Sequence, residues 1–174
     1  MCKIFIPRYY AKNIFEISLE FYKSLGIEYI LCDLDNTLDS YRLYTPSTRV
    51  FKWKEEVTSQ GFKIIIISNN KGERVRSYAE KLEVPYCSST GKPFIRKLKK
   101  FLENNNISLS KCVLIGDQLI TDMACGNRAK IVTILTDPIV KEDQWTTHFN
   151  RLIDRPLRKR LYKKGKLQSW EVAK

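Results

Sequence analysis

The chain has 174 residues, 43% of them hydrophobic and 29% charged, which is typical of one globular domain with a buried core. Its longest apolar runs, Tyr29–Cys32 and Ile64–Ile67, are too short for a membrane-spanning helix. The first residues lack a secretory signal pattern, and the five cysteines form neither a CxxC pair nor a zinc spacing. We therefore predict a cytoplasmic protein without a disulfide framework or a transmembrane segment.

Helices and strands are predicted to alternate along the chain. Apolar residues at helical spacing, from Ile14 to Leu25, predict a first helix that ends at Gly26. Strands are predicted at Ile27–Cys32, Phe62–Ile67, Val84–Cys87, Cys112–Ile115 and Lys130–Leu135, and the first two are predicted to be buried. Further helices, one of them with Pro93 as its first residue, are predicted at Thr48–Gln60, Lys71–Leu82, Pro93–Asn104 and Leu119–Arg128. This alternation indicates an α/β fold with a doubly wound, Rossmann-like parallel sheet.

Of four short motifs, three directly follow predicted strands and one precedes a predicted helix. They are DLDNTL at Asp33–Leu38, SNN at Ser68–Asn70, GKP at Gly91–Pro93 and GDQLITD at Gly116–Asp122. Because the carboxyl ends of parallel strands converge at one edge of the sheet, we expect these motifs to lie close together. Together they supply carboxylates, a hydroxyl and a lysine, which are the groups that phosphoryl transfer uses.

The charges of these motifs indicate that a metal ion takes part. Asp33 and Asp35 are two residues apart, so they lie on the same side of an extended strand. A phosphate dianion about 4 Å from an ionised carboxylate is repelled by about 4 kcal/mol per charge pair at an effective dielectric constant near 20. Mg²⁺, which prefers oxygen ligands, and Lys92 would reverse that repulsion.

This set of motifs resembles the haloacid dehalogenase (HAD) superfamily, whose members transfer phosphoryl groups through an aspartyl-phosphate. The order DLDNTL, SNN, KP and GDQLITD, followed by GN at Gly126–Asn127, is similar to the YqeG-type, subfamily IIIA branch of HAD phosphatases. That branch includes phosphatidylglycerophosphate phosphatases. The resemblance extends from Ile4 to Pro138 and implies an HAD-like fold.

The resemblance implies catalytic roles for residues at matching positions. Asp33 would be the nucleophile and Asp35 the general acid and base. Lys92 would neutralise the developing charge and bind the substrate phosphate, with help from Ser68 and the backbone N–H of Asn69.

The resemblance also implies a Mg²⁺ site. Its ligands would be Asp33, Asp117 and the backbone carbonyl of Asp35, whereas Asp122 would support the metal or orient Lys92.

Some of these residues have ordinary structural explanations as well. Serines such as Ser68 are common in turns after strands, and Lys92 precedes a predicted helix. Turn or cap roles are at least as well supported as functional roles for Asn70, Gln118, Thr121 and Asn127.

The spacing of the motifs leaves no room for a cap domain. The segment between Leu38 and Ser68 has to contain a loop, a helix and a strand, and the segment from Ser68 to Lys92 has room only for a helix and a short strand. An open site suits a phosphate on a membrane surface, a protein or a nucleic-acid end. A small metabolite stays an alternative if oligomerisation covers the site.

The end of the chain is strongly basic. The segment Arg151–Lys174 has nine lysines and arginines against two acidic residues, which is +7 of the net charge of +12. We divide the chain into an HAD-like domain at 1–138, including an N-terminal helical arm, and a basic extension at 139–174. Such an extension can hold the enzyme at the inner face of a membrane through anionic lipid, or can be a solvated tail. Nucleic acid is less favoured, because no known nucleic-acid-binding fold is present.

The sequence therefore predicts a Mg²⁺-dependent phosphomonoester hydrolase that acts on phosphatidylglycerophosphate in phospholipid biosynthesis. One alternative is a phosphatase for another large substrate, such as a nucleic-acid end or a phosphoprotein. Another is an interaction protein that retains the HAD fold. The intact set of Asp33, Asp35, Lys92 and Asp117 argues against that last alternative.

Overall fold

The computed structural model of the protein describes residues 3–140 and 148–173. Its strands are β1 (Tyr9–Tyr10), β2 (Tyr29–Asp33), β3 (Lys63–Ile67), β4 (Tyr86–Cys87), β5 (Cys112–Gly116) and β6 (Val132–Leu135). They form one sheet in the order β1-β6-β5-β2-β3-β4, and each neighbouring pair is parallel. The predicted α/β fold with a parallel sheet is confirmed.

The helices are α1 (Leu19–Ser24), α2 (Thr48–Ser59), α3 (Glu73–Leu82), α4 (Arg96–Asn104), α5 (Ala124–Ala129) and α6 (His148–Lys163). A π-helical segment, Leu119–Met123, leads directly into α5. Residues 34–62, between β2 and β3, contain a loop and α2, and residues 68–85 contain α3 as their helix. The absence of an inserted cap domain from these described segments agrees with the prediction from motif spacing.

The central strands are apolar because helices cover both faces of the sheet. Along β3, Ile64 and Ile66 pack into the core with side chains of α1, α2 and α3. Ile65 and Ile67 face the opposite way and pack with side chains of α4, α5 and α6. The strand ends therefore sit between two hydrophobic cores, which fixes the position of the polar residues that follow them.

Three predicted helices differ from the structure. The first is shorter than its apolar spacing suggested, because Ser18 caps α1 through a hydrogen bond to the Phe21 N–H (3.3 Å) and a separate 3₁₀ turn precedes it. Pro93 is not the first residue of α4, which begins at Arg96; Pro93 instead follows a cis peptide bond. The helix predicted from Leu119 is the π-helical segment followed by α5.

The last part of the described chain contacts the edge strand β1 and helix α1. The Tyr10 N–H of β1 donates to the Gln168 carbonyl (2.8 Å), and the Trp170 ring packs 5.6 Å from the Phe21 ring. Leu161 of α6 is fully buried. The segment 152–172 is thus packed on the domain, unlike the solvated tail considered above, while the boundary at residue 138 stays a prediction. Among the described residues, every helix is too short or too polar to cross a bilayer.

Candidate active site

Four charged side chains from separate parts of the chain meet at the carboxyl edge of the sheet. Asp33 ends β2, Asp117 and Asp122 follow β5, and Lys92 lies in the loop before α4. The Lys92 Nζ atom lies 2.6 Å from a carboxylate oxygen of Asp33 and 2.6 Å from one of Asp122. Carboxylate oxygens of Asp33, Asp117 and Asp122 all lie within 4.8 Å of one another. We call these four residues the acidic cluster.

The acidic cluster is buried, and its charges are only partly balanced. Burial raises the pKa of Asp33 well above its usual range; Lys92 opposes this rise, and the Asp122 and Asp117 carboxylates add to it. Burial alone would lower the pKa of Lys92, but the Asp122 and Asp33 carboxylates outweigh that effect and raise it. Lys92 is therefore held as a cation among three carboxyl groups.

The residues of the acidic cluster fit a divalent metal ion. Three carboxyl groups converge on one buried space, and a single ammonium group cannot balance them when all are ionised. Carboxylate oxygens are the ligands that hard cations such as Mg²⁺ prefer. Asp33, Asp117 and Asp122 are the residues that would hold such an ion.

Gly116 makes room for the Asp122 side chain. A Cβ atom at position 116 would lie 2.4 Å from the Asp122 Cγ atom, which is far inside van der Waals contact. The Gln118 N–H donates to one Asp122 oxygen (3.1 Å), and Lys92 donates to the other. Asp122 is therefore fixed in place, and the glycine of the GDQLITD motif has a steric reason.

The Asn69 side chain holds the backbone of Lys92. Its Nδ2 donates to the Lys92 carbonyl (2.8 Å), and its Oδ1 accepts from the Lys92 N–H (2.7 Å). Thr90 Oγ1 lies 2.9 Å from the same Asn69 oxygen. The sequence prediction used only the Asn69 backbone, so it missed this side-chain role; an amide directly after β3 was the available signal.

Ser68 is buried directly after β3, and its Oγ accepts a hydrogen bond from the Asn70 N–H (3.1 Å). Such a bond between a serine hydroxyl and the chain two residues later is typical of a turn. Phosphate binding by Ser68 and by the Asn69 N–H stays a prediction.

Asp35 has partners different from those of Asp33, although the two residues share one motif. Arg74 of α3 donates to its Oδ1 (2.6 Å), and Asn70 donates to its Oδ2 (2.6 Å). Arg74 also donates to the Leu43 carbonyl, so it ties the loop after β2 to Asp35. The Asp35 side chain is not among the three described carboxyl groups that lie within 4.8 Å of one another.

The role of Arg74 was missed from the sequence. It lies in the charged stretch GERVRSYAEK, where an arginine is most simply read as solvent-exposed. The signal for its contact with Asp35 was its position four residues after the SNN motif, in the first turn of α3.

The remaining motif residues have structural contacts. Thr121 donates to the Gln118 side chain (3.2 Å). Asn127 donates to the backbone carbonyls of Ile4 (2.7 Å) and Ile6 (2.9 Å), which fastens the start of the described chain to α5. The local contact supports the ordinary explanation for Gln118 and Thr121, whereas Asn127 has a structural role that is neither a turn nor a cap, because it joins distant parts of the chain.

Comparison with known proteins identifies the family. A family model described as HAD-hydrolase-like matches residues 89–152. "Probable phosphatase YqeG" of Bacillus subtilis (strain 168) is 37% identical over 169 residues, which cover 97% of this chain and 98% of that protein. The chain belongs to the YqeG-like phosphatases of the HAD superfamily. The resemblance seen in the motifs is thereby confirmed, and the alternative of a non-enzymatic interaction protein is set aside.

Other similarities of this YqeG-like phosphatase are more distant. "Phosphatidylglycerophosphate phosphatase 1, chloroplastic/mitochondrial" of Arabidopsis thaliana is 25% identical over 172 residues, covering 92% of this chain and 49% of that protein. A protein from Listeria monocytogenes serotype 4b has a TM-score of 0.54, with 16% identity over 68% of this chain and 85% of that one. The cobalt-bound deoxy-D-mannose-octulosonate 8-phosphate phosphatase of Haemophilus influenzae has a TM-score of 0.51, with 12% identity over 78% and 90%. These structures share the fold.

Proposed function

We propose that this YqeG-like phosphatase is a Mg²⁺-dependent phosphomonoester hydrolase that forms an aspartyl-phosphate on Asp33. The observation that carries the proposal is the buried acidic cluster, in which Lys92 bridges Asp33 and Asp122 at 2.6 Å each, with Asp117 beside them. Bound Mg²⁺ would supply the positive charge that lets a phosphate dianion approach ionised Asp33.

The first half-reaction is a transfer of the phosphoryl group to Asp33. A carboxylate oxygen of Asp33 bonds to phosphorus while the ester P–O bond breaks, and the departing alkoxide takes a proton from Asp35. Lys92 lies against the attacking carboxylate and balances negative charge on the transferring phosphoryl group. Arg74 and Asn70 each donate a hydrogen bond to one of the two Asp35 oxygens, and these contacts hold the Asp35 carboxyl group in place.

The second half-reaction returns the enzyme to its starting state. Asp35 takes a proton from water, whose oxygen bonds to phosphorus as the acyl-phosphate bond to Asp33 breaks. Inorganic phosphate leaves and the Asp33 carboxylate is restored.

For the substrate, we propose phosphatidylglycerophosphate, which would place the enzyme in phospholipid biosynthesis. The support is the similarity to the Arabidopsis phosphatidylglycerophosphate phosphatase, the lack of a cap in the described segments between the motifs, and the net charge of +12. A basic protein with an open site suits a phosphate displayed on an anionic membrane, to which each nearby Lys or Arg contributes about 1 kcal/mol of attraction. A cytoplasmic enzyme at the inner face of the membrane is part of this proposal.

A panel of substrates tests both parts. Purified protein is assayed with Mg²⁺ on phosphatidylglycerophosphate in mixed micelles, sugar phosphates, nucleotides and a 5′-phosphorylated oligonucleotide, with Asp33→Asn as the matched blank. We expect the lipid to give the highest kcat/KM, and a chelator to abolish turnover of every substrate. Preference for the oligonucleotide would replace the lipid by a nucleic-acid end. Equal rates for wild type and Asp33→Asn would overturn the chemistry.

A further inference from the structure

Residues 117–120, which we call the Asp117 loop, are held by helix α6. This helix lies in the segment that the sequence predicted to be a basic extension. Asp154 and Arg158 are four residues apart, so they lie on the same face of α6. Asp154 is 1% exposed, and one of its carboxylate oxygens accepts hydrogen bonds from the N–H groups of Leu119 (2.7 Å) and Ile120 (3.2 Å).

Arg158 binds the other end of the same loop. Its Nη2 donates to the carbonyl oxygens of Asp117 (2.8 Å) and Thr136 (2.8 Å), and its Nη1 forms an ion pair with Asp137 (2.7 Å). A planar guanidinium group can reach several acceptors at once, which a lysine at this position could not do in the same geometry.

The polarity of each contact matches the group that it meets. Leu119 and Ile120 begin the helical segment that runs into α5, and the first N–H groups of a helix have no acceptor within it. A carboxylate is the group that such N–H groups attract most strongly. The carbonyl of Asp117, by contrast, is an acceptor and receives a cation.

Successive peptide groups of the Asp117 loop are thereby fixed. The Asp117 carbonyl is held by Arg158, the Gln118 N–H by Asp122, and the next two N–H groups by Asp154. Two of these three anchors come from α6. Because a metal site requires its ligands within a fraction of an ångström, loosening this loop would displace the Asp117 carboxylate.

From these contacts we infer that Asp154 and Arg158 are positioning residues for the metal site: they fix the Asp117 loop so that Asp117 meets Asp33 and Asp122. The inference rests on the proposed Mg²⁺-dependent function. Helix α6 would then support the active site through its buried face, in addition to any role of its exposed basic side chains.

The test compares single substitutions in the full-length protein by two readouts. The first is the dependence of the thermal unfolding midpoint on MgCl₂ alone, which yields an apparent Mg²⁺ dissociation constant without any substrate. The second is kcat and KM for para-nitrophenyl phosphate, a generic phosphomonoester, at saturating Mg²⁺. The variants are Asp154→Ala, Asp154→Asn and Arg158→Met, with Arg160→Ala as an exposed control on the same helix.

We expect Asp154→Ala and Arg158→Met each to weaken Mg²⁺ binding by about tenfold or more, and to lower kcat with little change in KM. Asp154→Asn keeps an oxygen that can accept from both N–H groups, so it should stay within about threefold of wild type. The Arg160→Ala control should match wild type in both readouts. If Asp154→Ala does not fold, Arg158→Met carries the same comparison.

Lower melting temperatures with an unchanged Mg²⁺ dissociation constant and unchanged kcat in both Asp154→Ala and Arg158→Met would overturn the inference, since α6 would then serve only stability. A wild-type protein that shows neither stabilisation by MgCl₂ nor Mg²⁺-dependent turnover would instead overturn the proposed function, and this inference with it.

Discussion

The two aspartates of the DLDNTL motif belong to two regions that differ in the partners of their charged side chains. Asp33 belongs to the buried acidic cluster, where Lys92 bridges it to Asp122. Two residues later, Asp35 is bound by Arg74 and Asn70, and this pair is partly buried: the Asp35 and Arg74 side chains are 17% and 12% exposed, against 11% for Asp33 and 2% for Lys92. A charge that water cannot reach depends most strongly on its partners, and Lys92 and Asp122 are the most enclosed of these groups. The first region should therefore respond to substitution far more than the second.

The largest effect is expected from removing the ammonium group of the acidic cluster. Lys92→Met leaves the Asp33 and Asp122 carboxyl groups without their shared cation, so we expect turnover to fall by about 10²–10³-fold. Loss of one partner of a buried ion pair should also lower the free energy of unfolding by about 3 kcal/mol. Steady-state kinetics and urea unfolding measure the two effects.

Lys100→Met, an exposed lysine of α4, is the control for Lys92→Met. If both variants kept wild-type turnover, the acidic cluster would not be the site of the chemistry.

A smaller effect should follow from crowding Asp122. Because a Cβ atom at position 116 would overlap the Asp122 carboxyl group, Gly116→Ala should lower kcat by about 10- to 100-fold. Gly61→Ala is a useful comparison, since Gly61 has a φ of +87° but open space around it and lies away from the cluster. That variant should lose stability and keep its kcat. The same kcat for Gly116→Ala and wild type would contradict the fixed position of Asp122.

The second region should tolerate change better. Arg74→Met removes one of the two donors to Asp35 and the contact to the Leu43 carbonyl, and we expect kcat to fall by about tenfold through poorer placement of the acid. Arg76→Met, an exposed position on the same helix, should leave kcat unchanged. A loss as large as that of Lys92→Met would mean that Arg74 itself contacts the reacting phosphate, and the contrast between the two regions would fail.

The smallest effect concerns pH in the absence of metal. Since the pKa of Asp33 is raised in the folded protein, the folded state binds more protons than the unfolded state between the ordinary and the raised pKa values. The free energy of unfolding should therefore fall as pH rises through that window, by at most about 1.4 kcal/mol per pH unit. The pKa of Lys92 is raised from a value that is already high, so this side chain is protonated in both the folded and the unfolded state between pH 5 and pH 8 and does not contribute there.

Urea unfolding in chelator at several pH values measures this slope. Asp33→Asn should flatten it, and Mg²⁺ should reverse the loss of stability because binding requires the ionised carboxylate. A slope that is identical in wild type and Asp33→Asn would contradict the assignment to Asp33.

The sequence was informative about the strand ends and less so about the residues that support them. The sequence predicted that four residues lie close together, because parallel strands place their carboxyl ends at one edge of the sheet: Asp33, Lys92, Asp117 and Asp122. The pairing of Asp35 with Arg74 could not, since a charged helix face is normally solvated.

The contacts of α6 with the loop after β5 could not be predicted from the sequence either. Asp154 is one acidic residue in a strongly basic segment, and it is buried only because the helix packs on the loop after β5. Such a contact joins residues 35 apart and leaves no local pattern. The spacing of Asp154 and Arg158 predicts only that they share a helix face.

The account depends most on Asp33 as the residue that receives the phosphoryl group. The direct measurement is mass spectrometry of enzyme quenched in acid during turnover of a phosphomonoester with Mg²⁺, followed by peptide mapping. We predict a phosphoryl group on the peptide that contains Asp33, absent when Mg²⁺ is removed and absent in Asp33→Asn. Turnover by an enzyme that carries the phosphoryl group on another residue would contradict the account, as would undiminished turnover by Asp33→Asn.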